Sequence, residues 1–184
     1  GPGVGMEKQK LDILTYVLEH ADIPVILDAD ALNLTARYRL SLSDYSVSLA
    51  VTPHLGEMAR LCSTDISNIA SDLISSAEEF ARSQNVICVL KDAGTVVSNG
   101  NETYINTSGN SGMATAGSGD VLAGIFVGLT AQGMDLFEAA KLAVFLHGRA
   151  GDQAALRYGK RSMTSADLID GLVFILAGSE DKVM

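Results

Sequence analysis

The sequence predicts an α/β fold: a mostly parallel sheet in three layers, with helices on both faces and an antiparallel hairpin. Three observations carry that reading. Short continuous apolar runs, Pro24-Val-Ile-Leu27 and Val86-Ile-Cys-Val-Leu90, have the pattern of strands buried on both faces. Stretches with apolar residues at helical spacing alternate with these runs. Asn99-Gly100-Asn101, between Thr95-Val-Val97 and Thr103-Tyr-Ile105, is a hairpin signal.

The elements follow in order. Leu11, Leu14, Val17 and Leu18 recur at helical spacing and predict a helix from about Glu7 to His20. The first strand, Pro24 to Leu27, ends in Asp28-Ala-Asp-Ala-Leu32, which puts two carboxylates at its C-terminal end. Asp28 and Asp30 either bind Mg²⁺ through water or end the strand and cap the next helix; Asn33 shares that ambiguity. A second strand, Ser48-Leu-Ala-Val51, runs into Thr52-Pro53, where proline stops the strand and opens a short helix through Met58 and Leu61. A helix is expected from about Ile66 to Ser83, then the strand at Val86 and the hairpin. A glycine-rich loop precedes a helix reaching about Thr130. A long helix from about Leu136 to Tyr158 follows, with Gly148 and Gly151 marking where it could break. The last helix starts with Thr164 or Ser165 as N-cap and runs towards Ala177. With no internal repeat, linker or low-complexity tract, residues 1–184 read as a single domain.

Bulk properties narrow the function. A chain of 184 residues can bury a full core. It carries 13 basic and 22 acidic residues, for a net charge of −9. Without a basic stripe, that balance argues against nucleic acid or an anionic membrane as partner, so an anionic substrate would be held by local amides and a few cations. No span of about 20 apolar residues is present, and a cytoplasmic location is expected. Cys62 and Cys88 lie in apolar surroundings without metal-type spacing and read as buried free thiols. Histidines at 20, 54 and 147 are too scattered for a structural zinc site.

The most informative segment is Asn106-Thr-Ser-Gly-Asn-Ser-Gly-Met-Ala-Thr-Ala-Gly-Ser-Gly-Asp-Val-Leu-Ala-Gly124. A loop of small residues opening a helix leaves backbone N–H groups pointing outward at the positive end of the helix dipole, a site for a phosphate. Asp120, at the first turn, could accept a proton from a hydroxyl while those amides hold the phosphoryl group it attacks. The plainer alternative is a turn with Asp120 as N-cap. A plain turn, however, does not need so many small residues, nor its one carboxylate where amides converge. Asn110 sets the loop's geometry and Met113 packs beneath it. In Lys91-Asp-Ala-Gly-Thr95, Lys91 either neutralises a phosphate or extends to solvent from a tight turn. His54 either donates to a substrate carbonyl or phosphate, or caps the short helix with Glu57 as its first-turn acid. His147 reads as a buried helix residue. Arg157, Lys160 and Arg161 read as a solvated helix end.

These segments, with Thr52-Pro-His-Leu-Gly-Glu57 and the opening Gly1-Pro-Gly-Val-Gly5, resemble the bacterial ADP-dependent NAD(P)H-hydrate dehydratase family of the ribokinase-like superfamily. The motifs occur in family order and cover nearly the whole chain. The resemblance implies a ribokinase-like sheet and small-molecule substrates, hydrated NAD(P)H and ADP, with Mg²⁺ on the phosphates. Asp120 would be the catalytic base and touch the substrate, as would Gly3, Gly5 and His54. Lys91, Asp92, Ala93, Gly94 and Thr95, with Gly117, Ser118 and Gly119, would bind the nucleotide. Glu57 is a candidate for metal. The implied reaction phosphorylates the ring hydroxyl of the hydrate, then expels phosphate to restore NAD(P)H, leaving AMP. A homo-oligomer is expected. In the family, the Gly-Pro-Gly segment follows a central strand, so the chain is expected to lack the N-terminal part of its domain; the alternative is a tag scar at Gly1-Pro2. Two competing functions remain: a ribokinase-like kinase of a small molecule such as a vitamin precursor, and a nucleotide-binding fragment without turnover.

Overall fold

The computed structural model describes residues 1–180. In chain order the elements are α1 (Lys8–His20), β1 (Val25–Leu27), α2 (Asp30–Tyr38), β2 (Leu49–Val51), α3 (Leu55–Leu61), α4 (Ile66–Ser71), α5 (Leu73–Gln84), β3 (Ile87–Leu90), β4 (Val96–Ser98), β5 (Thr103–Ile105), α6 (Ser118–Ala131), α7 (Leu136–Tyr158) and α8 (Ser165–Glu180). Short 3₁₀ turns lie at Leu42–Asp44 and Ser111–Met113.

The strands form one sheet in the order β1-β2-β3-β4-β5. β1 pairs with β2, and β2 with β3, in parallel; β3–β4 and β4–β5 are antiparallel. Two reversals restore direction, so β5 runs with β1, β2 and β3, and only β4 opposes them. Leu27 faces Val51, and Val51 faces Cys88 in turn, so β1 and β2 end level while β3 runs two residues further. Successive strand residues point to opposite faces. All of β2 and β4 is nevertheless buried, as a mostly parallel sheet requires. The strand assignments read from apolar runs therefore hold within a residue or two.

The chain divides into two compact units: residues 1–105 with 135–137, and residues 106–134 with the remainder from 138. The core of the first is built from Leu18, Leu32, Leu34, Leu42, Met58, Cys88 and Leu90, which come from helices and strands alike. In the second, Ala154, Met163 and Leu168 pack with Met113, Val121 and Ala155.

Three expectations are corrected. The helix expected from Ile66 to Ser83 is two helices, because Asp72 leaves helical geometry (φ −152°, ψ 89°) and caps α5. Its carboxylate accepts from the Ser75 N–H at 3.0 Å and the Ser75 hydroxyl at 2.7 Å. Such a side chain offers the backbone an alternative to the helix ladder. Helix α7 does not break at Gly148 or Gly151, for a reason that lies in the loop packed on it. Finally, Cys88 is buried but Cys62, the C-cap of α3, is exposed.

Candidate active site

In the first unit, the expected residues gather at the carboxyl ends of the parallel strands. β1 ends in Asp28, which is 5% exposed. Its Oδ1 accepts from the Lys91 ammonium at 2.9 Å and from the Thr52 hydroxyl at 2.6 Å. Lys91 follows β3 and is fixed there through its own N–H, which donates to Pro53 O at 2.8 Å. It does not extend freely into solvent: its side chain is 20% exposed and ion-paired. Removing one member of so buried a pair costs about 3–5 kcal/mol, because the other charge is left without compensation.

Between the two carboxylates sits Ala29, at φ 52° and ψ −114°. An L-residue there costs about 1–3 kcal/mol and persists only where its surroundings impose it. The turn lets Asp30 reach the other way: its Oδ2 accepts the Gly5 N–H at 2.9 Å. Gly5 itself is at φ +93°, a conformation side chains rarely adopt, and an added Cβ would lie 2.5 Å from Glu7 Oε2.

His54 caps α3. Its Nδ1 accepts from the Gly56 N–H at 3.0 Å and the Glu57 N–H at 3.3 Å. Glu57 Oε2 accepts the His54 N–H in return at 2.8 Å, completing a capping box. An Nδ1 that accepts leaves the proton on Nε2. That atom is 3.5 Å from Glu57 Oε1, long for a hydrogen bond, on a side chain 55% exposed. The capping role read as an alternative is thus realised, and it orients the ring so that Nε2–H remains a donor. Asp92 and Ala93 are exposed, and the Thr95 hydroxyl donates to Asp92 O at 3.1 Å, closing the turn.

In the second unit, the glycine loop is anchored from within. Asn110 Oδ1 accepts the Gly112 N–H at 3.0 Å, and its Nδ2 donates to Gly151 O at 2.9 Å and Asp152 Oδ1 at 3.2 Å. Asp152 Oδ2 also accepts the Gly109 N–H at 3.1 Å. The sequence reading missed Asp152; inside a helical pattern a single acid looks like a solvated position. Gly148 and Gly151 are where the loop meets α7. A Cβ at Gly148 would be 2.7 Å from the Ser108 backbone, and one at Gly151 would be 2.6 Å from Met113 Cγ. The loop closes with Gly117 in the left-handed region (φ 83°), where a Cβ would also be 2.8 Å from Ser165 Oγ. Ser118, Gly119 and Asp120 then form the first turn of α6. The Gly119 and Asp120 amides have no carbonyl within the helix to bond, and Asp120 is exposed. Ser118 Oγ is 3.3 Å from His147 Nε2, which ties this turn to α7 and gives His147 a polar partner. An apolar groove of about 640 Å³ starts at Asp120 and runs past Gly124, Gly128, Leu146, Ile169 and Leu176.

Among the described residues no group of three or more His, Cys, Asp or Glu is placed to hold a metal. The acids nearest such a role, Asp28, Asp30 and Glu57, each already accept an internal hydrogen bond.

The family described as NAD(P)H-hydrate dehydratase matches residues 1–173. A bifunctional NAD(P)H-hydrate repair enzyme of Moorella thermoacetica is 42% identical over 184 residues, covering 100% of this chain and 35% of that protein. An ADP-dependent (S)-NAD(P)H-hydrate dehydratase of Neisseria meningitidis serogroup B is 42% identical over 156 residues, 83% of this chain and 53% of its own length. An ADP/ATP-dependent NAD(P)H-hydrate dehydratase from Bacillus subtilis, co-crystallised with ATP and Mg²⁺, matches with a TM-score of 0.88 at 27% identity, covering 97% of this chain and 62% of that one. The chain therefore spans 35% and 53% of the two curated relatives.

Proposed function

The chain belongs to the NAD(P)H-hydrate dehydratase family, and from that membership we propose that it serves the ADP-dependent dehydration of the S-form of hydrated NADH and NADPH. One observation carries this reading: an exposed carboxylate, Asp120, on the first turn of α6 beside amides with no partner inside the helix, after a loop built to keep its shape. That turn suits a hydroxyl attacking a phosphate.

The reaction has two stages. The ring hydroxyl attacks the terminal phosphorus of ADP, its proton passes to Asp120, and AMP leaves as the P–O bond to it breaks. The amides of Gly119 and Asp120, with Gly117 beside them, stabilise the charge on the transferring group, since aligned donors at a helix N-terminus favour negative charge; the Ser118 N–H is already given to Thr115 O at 3.2 Å. The ring C–O bond then breaks, its electron pair leaves with phosphate, and loss of a proton from the neighbouring carbon restores the ring double bond. Lys91 keeps two ammonium protons beyond the one given to Asp28 and serves a nucleotide phosphate, with Asp92, Ala93, Gly94 and Thr95 as the adjoining nucleotide segment. His54 Nε2–H and the backbone at Gly3 and Gly5 serve the hydrated dinucleotide. Mg²⁺ would enter with the nucleotide and screen its phosphates; among the described residues no cluster of three acids or histidines is placed to hold it alone.

Product analysis at steady state tests the proposal. With hydrated NADH, ADP and Mg²⁺, the expected products are NADH, AMP and free phosphate in equal amounts. Accumulation of a phosphorylated organic product without free phosphate would make the chain a kinase instead.

A further inference from the structure

We propose that the strained turn Asp28–Ala29–Asp30 is a positioning device that sets the nucleotide-side cation and the substrate-side glycine turn at once, an inference that rests on the function proposed above. The turn touches two segments far apart in sequence. On one side, Asp28 takes the Lys91 ammonium at 2.9 Å and the Thr52 hydroxyl at 2.6 Å on the same oxygen. On the other, Asp30 takes the Gly5 N–H at 2.9 Å. Ala29 carries the backbone reversal between them at φ 52°. A lysine head on a four-carbon stem samples many rotamers unless something fixes it. Asp28 is buried and sits at a strand end, so it fixes the ammonium relative to the sheet; no other carboxylate pairs with Lys91 among the described residues. Gly5, in a left-handed conformation, is anchored through its N–H by Asp30. The backbone reversal at 29 is what turns the two carboxylates towards these two partners, which gives the strained turn a use.

Asp28 and Asp30 are thus positioning residues for different ligands, and the prediction is a cross-over in kinetic constants. Asp28→Asn keeps the Thr52 hydrogen bond and removes the charge that holds Lys91. Its KM for ADP should rise tenfold or more while KM for the hydrated dinucleotide changes less than threefold. Asp30→Ala, which removes the acceptor of the Gly5 N–H, should show the reverse pattern. Ala29→Gly suits the positive φ of this turn and should leave both KM values within threefold, with the protein as stable as before or more so. Direct titration of ADP into the unsubstituted chain and Asp28→Asn supplies the second readout, and circular dichroism confirms folding in each variant. Equal ADP affinity in the two would overturn the inference while leaving the function standing. Both KM values rising together in Asp28→Asn and in Asp30→Ala would overturn it too, by showing a general structural role. Absence of ADP binding and turnover in the unsubstituted chain would overturn the proposed function, and this inference with it.

Discussion

His54 shows how one side chain can cap a helix and still present a donor. Its Nδ1 accepts two amides at the start of α3, so the ring is held as the tautomer that exposes Nε2–H. His54→Ala should lose the cap and cost about 0.5–2 kcal/mol in urea denaturation. His54→Asn should recover most of that stability, since asparagine caps well, yet still raise KM for the hydrated dinucleotide because the Nε2 donor is gone. Equal KM in the asparagine variant and the unsubstituted chain would reduce His54 to a cap. Asp72 makes a second residue-level prediction. Hydrogen bonds from the Ser75 amide and hydroxyl hold its carboxyl below the ordinary value against a smaller opposing effect of burial. With the folded value depressed, its contribution is present above the unfolded value, about pH 4, and is lost as pH falls through the folded value. Asp72→Ala should therefore lower the urea midpoint at pH 6, and the gap to the unsubstituted chain should narrow as pH falls below about 4.

At the scale of elements, glycines in helices do opposite things according to what lies against them. An alanine in a helix interior is worth up to about 1 kcal/mol over glycine. At Gly124 an added Cβ meets nothing within 4 Å, so Gly124→Ala should raise stability by that order. At Gly148 the Cβ would meet the Ser108 hydroxyl and lie 2.7 Å from its backbone, so Gly148→Ala should instead destabilise by about 1–3 kcal/mol through overpacking. Thermal denaturation of both variants checks the pair of signs. Gly148 and Gly151 show what the sequence could and could not disclose. Apolar runs and Asn99-Gly100 mark the strands and hairpin locally, and the composition of the glycine loop raises the expectation of a phosphate site. Gly148 and Gly151, by contrast, look like breaks because their cause is a loop some forty residues earlier, which no local pattern records. Asp72 splits a helix through a capping bond that competes with an otherwise good helical pattern, and Asp152 anchors the loop from inside an ordinary-looking helix. The Asp28–Lys91 pair was invisible for the same reason: each residue had a plausible local reading, and only the strand register joins them.

Across the whole molecule, the two thiols report on integrity. Cys88 is fully buried and its thiol is pushed far above the ordinary value by burial, with Cys62 a minor contributor. Cys62 is exposed as a residue, yet the protein around its sulfur, with the Glu79 carboxylate second, raises its thiol as well. A disulfide reagent at pH 8 should therefore modify Cys62 slowly and Cys88 only on unfolding, because the thiolate is the reacting species. Two thiols reacting alike in the native protein would contradict the packing of β3. That packing matters because Lys91 follows directly on it. The central claim, that Asp120 and the α6 amides turn a ring hydroxyl into a leaving phosphate, is tested most directly by the recovery of NADH absorbance from its hydrate with Mg²⁺ and ADP, in the unsubstituted chain and in Asp120→Ala. We expect recovery that requires nucleotide and falls by about 10²-fold or more in the variant. Equal recovery in both, or none from an unsubstituted chain that binds ADP, would contradict it.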